Sequence, residues 1–139
     1  MTIRAVCFDL DDTLLDHSAA ERSAALVFQG VFRDQLPPCA DFPLRWKTAT
    51  AAAFDRYLAG EIPFQGQRRA RIRALFADDA ISDAECDARF ATYLEGCRRD
   101  WRLFPDTLPA LDALRGVPLA VVSNAPLAQQ RDKLARFGL

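Results

Sequence analysis

The stretch Ala5-Val6-Cys7-Phe8-Asp9-Leu10-Asp11-Asp12-Thr13-Leu14-Leu15 constrains this chain most, because a short apolar run near the N-terminus stops abruptly in three carboxylates and a hydroxyl. The run from Ile3 to Phe8 is mostly apolar, as expected of a strand covered on both faces. Ligands of open parallel sheets gather outside the carboxyl ends of the strands. A strand that delivers acids at its tip therefore suggests a metal and phosphate site.

A second strand is expected at Pro118-Leu119-Ala120-Val121-Val122, ending in Ser123-Asn124. Most of what lies between reads at helical spacing. Ser18-Ala19-Ala20-Glu21 matches a capping box, in which serine and glutamate side chains satisfy free backbone donors at a helix start. Ala25, Phe28, Val31 and Phe32 continue an apolar face, so a first helix is predicted from about Ser18 to Arg33. Pro37-Pro38 breaks it. A second helix is predicted over about Leu44 to Leu58, ended by Gly60, and a third over Phe64 to Phe76. Ser82-Asp83-Ala84-Glu85 is a second capping box and opens a fourth helix through Phe90, Tyr93, Leu94, Cys97 and Trp101. Trp46, Phe54, Tyr57, Phe90, Tyr93 and Trp101 are expected to pack inside the resulting bundle rather than to hold a cofactor. Pro105-Asp106-Thr107 starts a further helix that Gly116 ends, and a last one is expected from about Pro126 to Phe137.

This order predicts an α/β fold: a core made of residues 1–15 and 104–139, with a helical cap of residues 16–103 inserted. Two parallel strands joined by a crossover bring both carboxyl tips to one edge. Asp9, Asp11, Thr13, Ser123 and Asn124 are then expected to share a pocket.

With 139 residues, half of them apolar, the chain is long enough for a core, although a core plus an insertion is tight. Its apolar stretches are far short of a bilayer span, and its start does not lead into an export signal. Four cysteines without close pairing fit reduced thiols, and a cytoplasmic location is expected. The 18 basic and 19 acidic residues are well mixed, which argues against nucleic acid and anionic lipid as partners. Arg68, Arg69, Arg71 and Arg73 lack interleaved aromatics, so a solvated helix face is expected. Arg68 is the exception, since it shares a stripe with Phe64, Ile72, Leu75 and Phe76. His17, the one histidine, is expected to be solvated in a loop and is given no role.

Asp9-Leu10-Asp11-Asp12-Thr13 and Val121-Val122-Ser123-Asn124, spaced around a helical block, resemble the first and second motifs of the haloacid dehalogenase superfamily of hydrolases. Within it the chain looks most like the phosphatase branch with an α-helical cap. The resemblance implies a Rossmann-like core carrying a partial parallel sheet, and a magnesium-dependent phosphomonoester hydrolase acting on a small phosphorylated metabolite. It makes Asp9 the nucleophile, which forms an aspartyl-phosphate, and a ligand of magnesium. Asp11 would protonate the leaving oxygen, then activate water, and bind the metal through its backbone carbonyl. Thr13 would position the loop, while Ser123 and Asn124 would hold the phosphoryl oxygens beside a helix N-terminus. Asp12 is expected to face solvent or cap the turn. Arg68 could reach an anionic substrate from the cap, the alternative being a pair with an acid such as Asp55.

Asp11 separates the branches, since dehalogenases attack carbon and lack this second acid. A phosphomutase, using the same core residues, stays open. The family's third motif, a lysine, and its fourth, an acidic pair, have no counterpart here. Lys133 lies in the helix directly after the second motif, one strand too early for the third. A truncated form of a longer hydrolase is therefore expected. The competing expectation is a catalytically inactive fragment that associates with itself or a partner through an exposed sheet edge.

Overall fold

A computed structural model describes residues 3–139. Two strands and six helices follow in the order β1 (Val6–Phe8), α1 (His17–Val31), α2 (Phe42–Leu58), α3 (Phe64–Phe76), α4 (Asp83–Asp100), α5 (Thr107–Ala113), β2 (Leu119–Val121) and α6 (Leu127–Phe137). The chain divides into two compact units, Met1–Ala20 with Trp101–Leu139, and Glu21–Asp100.

In the first unit β1 and β2 pair in parallel, with Val6 opposite Leu119, Cys7 opposite Ala120 and Phe8 opposite Val121. Their ladder continues at the tips, where the amide of Val122 donates to the carbonyl of Phe8 at 2.9 Å. A parallel pair needs a long crossover, and here it comprises the whole helical unit and α5. Leu10, Leu14, Leu15, Ala20 and Trp101 form this unit's buried core, with Phe8, Val121, Leu134 and Phe137 packed against it. Coverage of β1 on both faces is not what the structure shows. Cys7 and Ala120 are exposed, because the two-stranded sheet of the described residues has helix packing on one face only.

The second unit, Glu21–Asp100, is a helical bundle. Phe28, Phe42, Trp46, Ile72, Leu75, Cys86, Phe90 and Tyr93 fill its interior. Trp46 stacks on Tyr93 with ring centroids 4.1 Å apart and meets Phe28 edge-on at 5.0 Å. Trp101 is not part of this core. Helix α4 ends at Asp100, and Trp101 packs in the first unit beside the Leu15 to Leu103 bridge.

The first capping box is replaced by a different cap. Asp16 precedes α1 and accepts the amide of Ala19 at 3.2 Å, whereas Glu21 accepts the phenol of Tyr93 at 2.9 Å. A carboxylate on Asp16 out-competes a serine two positions later as the acceptor for the first free amides. At α4 the expected serine does cap, Ser82 Oγ accepting the amide of Glu85 at 3.2 Å. Glu85 itself pairs with Arg89 instead of reaching back.

The arginines of α3 are structural rather than a solvated face. Arg69 donates to Asp83 and Asp87, and Arg73 to Asp83 and the carbonyl of Ile81, which ties α3 to the start of α4. Arg71 is buried against Gln67 and Thr50, and burial lowers its pKa from the usual arginine value. No helix among the described residues is long and apolar enough to cross a membrane.

Candidate active site at the strand tips

The acids leave β1 through a tight turn whose backbone holds itself. The amides of Thr13, Leu14 and Leu15 all point to the carbonyl of Leu10 at 3.0–3.3 Å, and the amide of Asp12 donates to the carbonyl of Leu15 at 2.7 Å. The turn forces Asp12 to φ +57°, a left-handed conformation that aspartate tolerates better than most residues. Its carboxylate accepts the amide of Ser18 at 2.7 Å and the hydroxyl of Ser18 at 2.8 Å, so Asp12 staples the turn to the start of α1. Loop positioning, expected of Thr13, is carried instead by Asp12 and these backbone bonds. The Thr13 side chain is exposed.

Asp9 is exposed at the end of β1, and no described residue donates a hydrogen bond to its carboxylate. Asp11, two residues on, is pulled inward. Lys133 donates to Asp11 Oδ1 at 2.5 Å and Gln130 Nε2 to Asp11 Oδ2 at 3.1 Å. The same Gln130 amide donates to Ser123 Oγ at 2.7 Å. Ser123 Oγ also accepts the amide of Ala125 at 3.3 Å. Both acceptor positions of that hydroxyl are thus engaged, and its O–H remains to donate. Asn124 is exposed beside it.

The strand pairing therefore brings Asp11 and Ser123 to one network, with Asp9 exposed at the tip of the strand that carries Asp11. Asp9, Thr13 and Asn124 are open to solvent, so these residues line an edge rather than an enclosed pocket.

Three participants were not assigned a role from sequence. Gln130 and Lys133 are buried on α6, Lys133 completely. The detectable signal was periodicity, because Gln130, Lys133, Leu134 and Phe137 fall on one stripe, and polar residues on a core-facing stripe need a partner. His17 is the first residue of α1 and not a solvated loop residue. Its Nδ1 lies 3.9 Å from Asp11 Oδ1, too far for a hydrogen bond, and is buried with no partner.

Among the described residues no group of three histidines, cysteines or acids could hold a metal ion by side chains alone. Magnesium does not require one, since it keeps several waters and is commonly bound through one or two carboxylates and substrate phosphate. The exposed Asp9 carboxylate suits that chemistry. The Asp11 side chain is already engaged by a cation, which leaves its backbone carbonyl as the second donor.

Arg68, on α3 of the helical unit, lies over the rings of Phe64 and Phe90 at 5.0 and 5.1 Å. Partial burial lowers its pKa, and the carboxylate that opposes this is Asp87, not Asp55.

Residues 3–139 match the family model of the haloacid dehalogenase-like hydrolases. The chain belongs to this family. Its fold is shared by YfnB of Bacillus subtilis, a HAD hydrolase whose structure has magnesium bound, at TM-score 0.77 and 24% identity. The match covers 100% of this chain and 60% of that one. A 2-haloacid dehalogenase from Pseudomonas syringae matches at TM-score 0.62 and 24% identity, over 99% of this chain and 60% of its own. A predicted phosphoglycolate phosphatase from Haemophilus somnus matches at TM-score 0.62 and 22% identity, over 99% and 59%. The chain thus spans about 60% of the length of these structures. No curated protein matches it significantly.

Proposed function

We propose that the chain is of the phosphatase type and hydrolyses a small phosphorylated metabolite through an aspartyl-phosphate, in the cytoplasm and with magnesium as its cation. The observation that carries this reading is the second acid, Asp11, joined through Gln130 to a serine hydroxyl that still has a proton to donate. A dehalogenase attacking carbon has no use for an acid that serves a phosphoester oxygen.

In this reading Asp11 first takes up a proton on Oδ2, the oxygen not bonded to Lys133; one oxygen of Asp9 attacks phosphorus, the ester P–O bond breaks, and Asp11 supplies that proton to the departing alkoxide oxygen. Water then attacks the phosphorus of the aspartyl-phosphate and gives its proton to Asp11. The bond from phosphorus to Asp9 breaks, releasing inorganic phosphate and restoring both acids. Ser123, with Asn124 and Thr13 at the same edge, donates to phosphoryl oxygens as their charge develops. Magnesium, held by Asp9 and the Asp11 carbonyl, would offset the repulsion between the phosphoryl oxygens and the anionic nucleophile. Arg68 is the residue put forward on the helical unit for recognising an anionic group of the substrate. A phosphomutase would use the same core residues and differ in excluding water.

The test is release of inorganic phosphate from a panel of phosphorylated metabolites with magnesium, for the parent chain and Asp9→Asn. Activity that disappears in Asp9→Asn supports the reading. Activity that survives it, or a parent without activity, overturns it.

A second reading rests on the sheet. Ile3 is 73% and Val122 67% exposed, and Leu119 is also open to solvent. Apolar residues along an uncovered strand pair favour association with a second copy or another chain. Sedimentation over a concentration range checks it, and a monomer throughout excludes self-association.

A further inference from the structure

The two polar residues buried on α6 do more than fill the core. Lys133 is 0% exposed, and its ammonium group has two neighbours of suitable chemistry, the Asp11 carboxylate at 2.5 Å and the Trp101 ring at 5.5 Å. An ammonium group is costly to bury, and that cost is offset only when the geometry of its partners is good. Gln130 is almost as buried. Its one amide nitrogen spans Asp11 Oδ2 and Ser123 Oγ, so the separation of these two groups is set by a single planar amide. Its carbonyl oxygen is buried without a partner. A glutamine that leaves its own acceptor unsatisfied is held in place by what its nitrogen does.

We propose that Lys133 and Gln130 are positioning residues for catalysis: Lys133 anchors one oxygen of Asp11, and Gln130 sets the other at a fixed distance from the Ser123 hydroxyl. This rests on the phosphatase reading above. Asp11 stands on a turn with one face in solvent, and a carboxylate there has several rotamers available. Two donors from a rigid helix select one. The proton-transfer oxygen is then held near the phosphoryl site before substrate arrives, which is where orientation contributes most to rate. Neither residue touches the reacting phosphorus in this arrangement. Their effect passes through Asp11.

That route gives a signature that loss of packing would not. Proton delivery matters for an alkyl phosphate, whose leaving alkoxide is strongly basic, and little for 4-nitrophenyl phosphate, whose leaving group departs without help. Lys133→Met keeps the side-chain volume without the charge. It is expected to lower kcat/KM for an alkyl phosphate by roughly 10–100-fold, part of the whole effect of a general acid, and to change that for 4-nitrophenyl phosphate by less than about threefold. Combined with Asp11→Asn, it should cost no activity beyond Asp11→Asn alone, because residues acting as a unit are not additive. Lys133→Arg, which keeps a cation, should recover part of the loss. Gln130→Met provides the same test independently if Lys133→Met fails to fold, as judged by circular dichroism.

Equal losses on both substrates, or additive losses in the double variant, would overturn the positioning role while leaving Asp9-dependent hydrolysis intact. A parent chain whose hydrolysis does not depend on Asp9 would overturn the underlying reading, and the positioning role with it.

Discussion

Lys133 and Asp11, 122 positions apart in sequence, form a 2.5 Å ion pair in which the ammonium is fully buried and the carboxylate is 22% exposed. The asymmetry has an energetic consequence. Losing the carboxylate strands a cation away from water, whereas losing the cation strands an anion that water can still reach. Asp11→Asn should therefore destabilise the fold by about 3 kcal/mol and Lys133→Met by about 1 kcal/mol. Chemical denaturation of the two variants measures this, and the reverse ranking would contradict it.

Asp9 has the opposite environment, with an exposed carboxylate at a strand tip. Asp9→Asn is expected to leave the thermal midpoint unchanged while reducing phosphate release more than about a thousandfold. Chelation with EDTA should have a comparable effect on the parent, and added magnesium should reverse it. Activity that persists in the chelator would remove the metal from the reaction.

The α3 to α4 contact should respond to acid. Hydrogen bonds from Arg69 and then Gln65 hold the Asp87 carboxyl down at about 2, against 3.8 for an unperturbed aspartate. A folded-state pKa below the unfolded value contributes stability that is fully present above about pH 4 and is lost as pH falls toward 2. Thermal midpoints of the parent and Asp87→Asn should differ at neutral pH and converge near pH 2. A difference independent of pH would show that Asp87 acts by packing alone.

Helices α1 and α4 approach closely where Gly96 faces Ala24. A methyl group at Gly96 would lie 3.1 Å from the Ala24 Cβ and 3.3 Å from its Cα. The second of these is helix backbone and does not yield easily. Gly96→Ala gains about 1 kcal/mol of helix propensity but incurs overpacking of roughly 1–3 kcal/mol. A net loss of about 1 kcal/mol is expected in denaturant titrations, and a more stable variant would show that α1 can shift.

A buried side-chain bond ties the start of α5 to the turn after β1. Thr107 is 2% exposed and its hydroxyl donates to the carbonyl of Leu14 at 2.7 Å. Thr107→Val preserves the shape and removes one of the two hydrogen bonds that this carbonyl accepts, the other coming from the amide of Phe104 at 3.1 Å, at a cost of about 1 kcal/mol. Thermal melts would check this.

Much of the architecture was legible in local pattern. Period 3.6 in the residues from Phe64 to Phe76 placed α3 with the bounds observed, and the Ser82 signal placed the start of α4. The strand-to-acid boundary at Phe8-Asp9 and the Val121 to Asn124 stretch marked the two tips that the parallel register then brought side by side. These features are local, because helix periodicity, caps and strand ends depend on residues a few positions apart. Where the local signal misled, as in the first cap expected at Ser18, the carboxylate of Asp16 took the position as the stronger acceptor.

Sequence by itself determined which segments become helix or strand, and which carboxylates and hydroxyls stand at strand ends, because those choices follow from nearest-neighbour chemistry. Only the tertiary structure decided that Trp101 leaves the helical bundle for the other core, that the α3 arginines bind α4, and that Lys133 and Gln130 hold Asp11. A buried polar side chain is tolerated only where a partner meets it. Which partner that is depends on how helices and strands distant in sequence pack together.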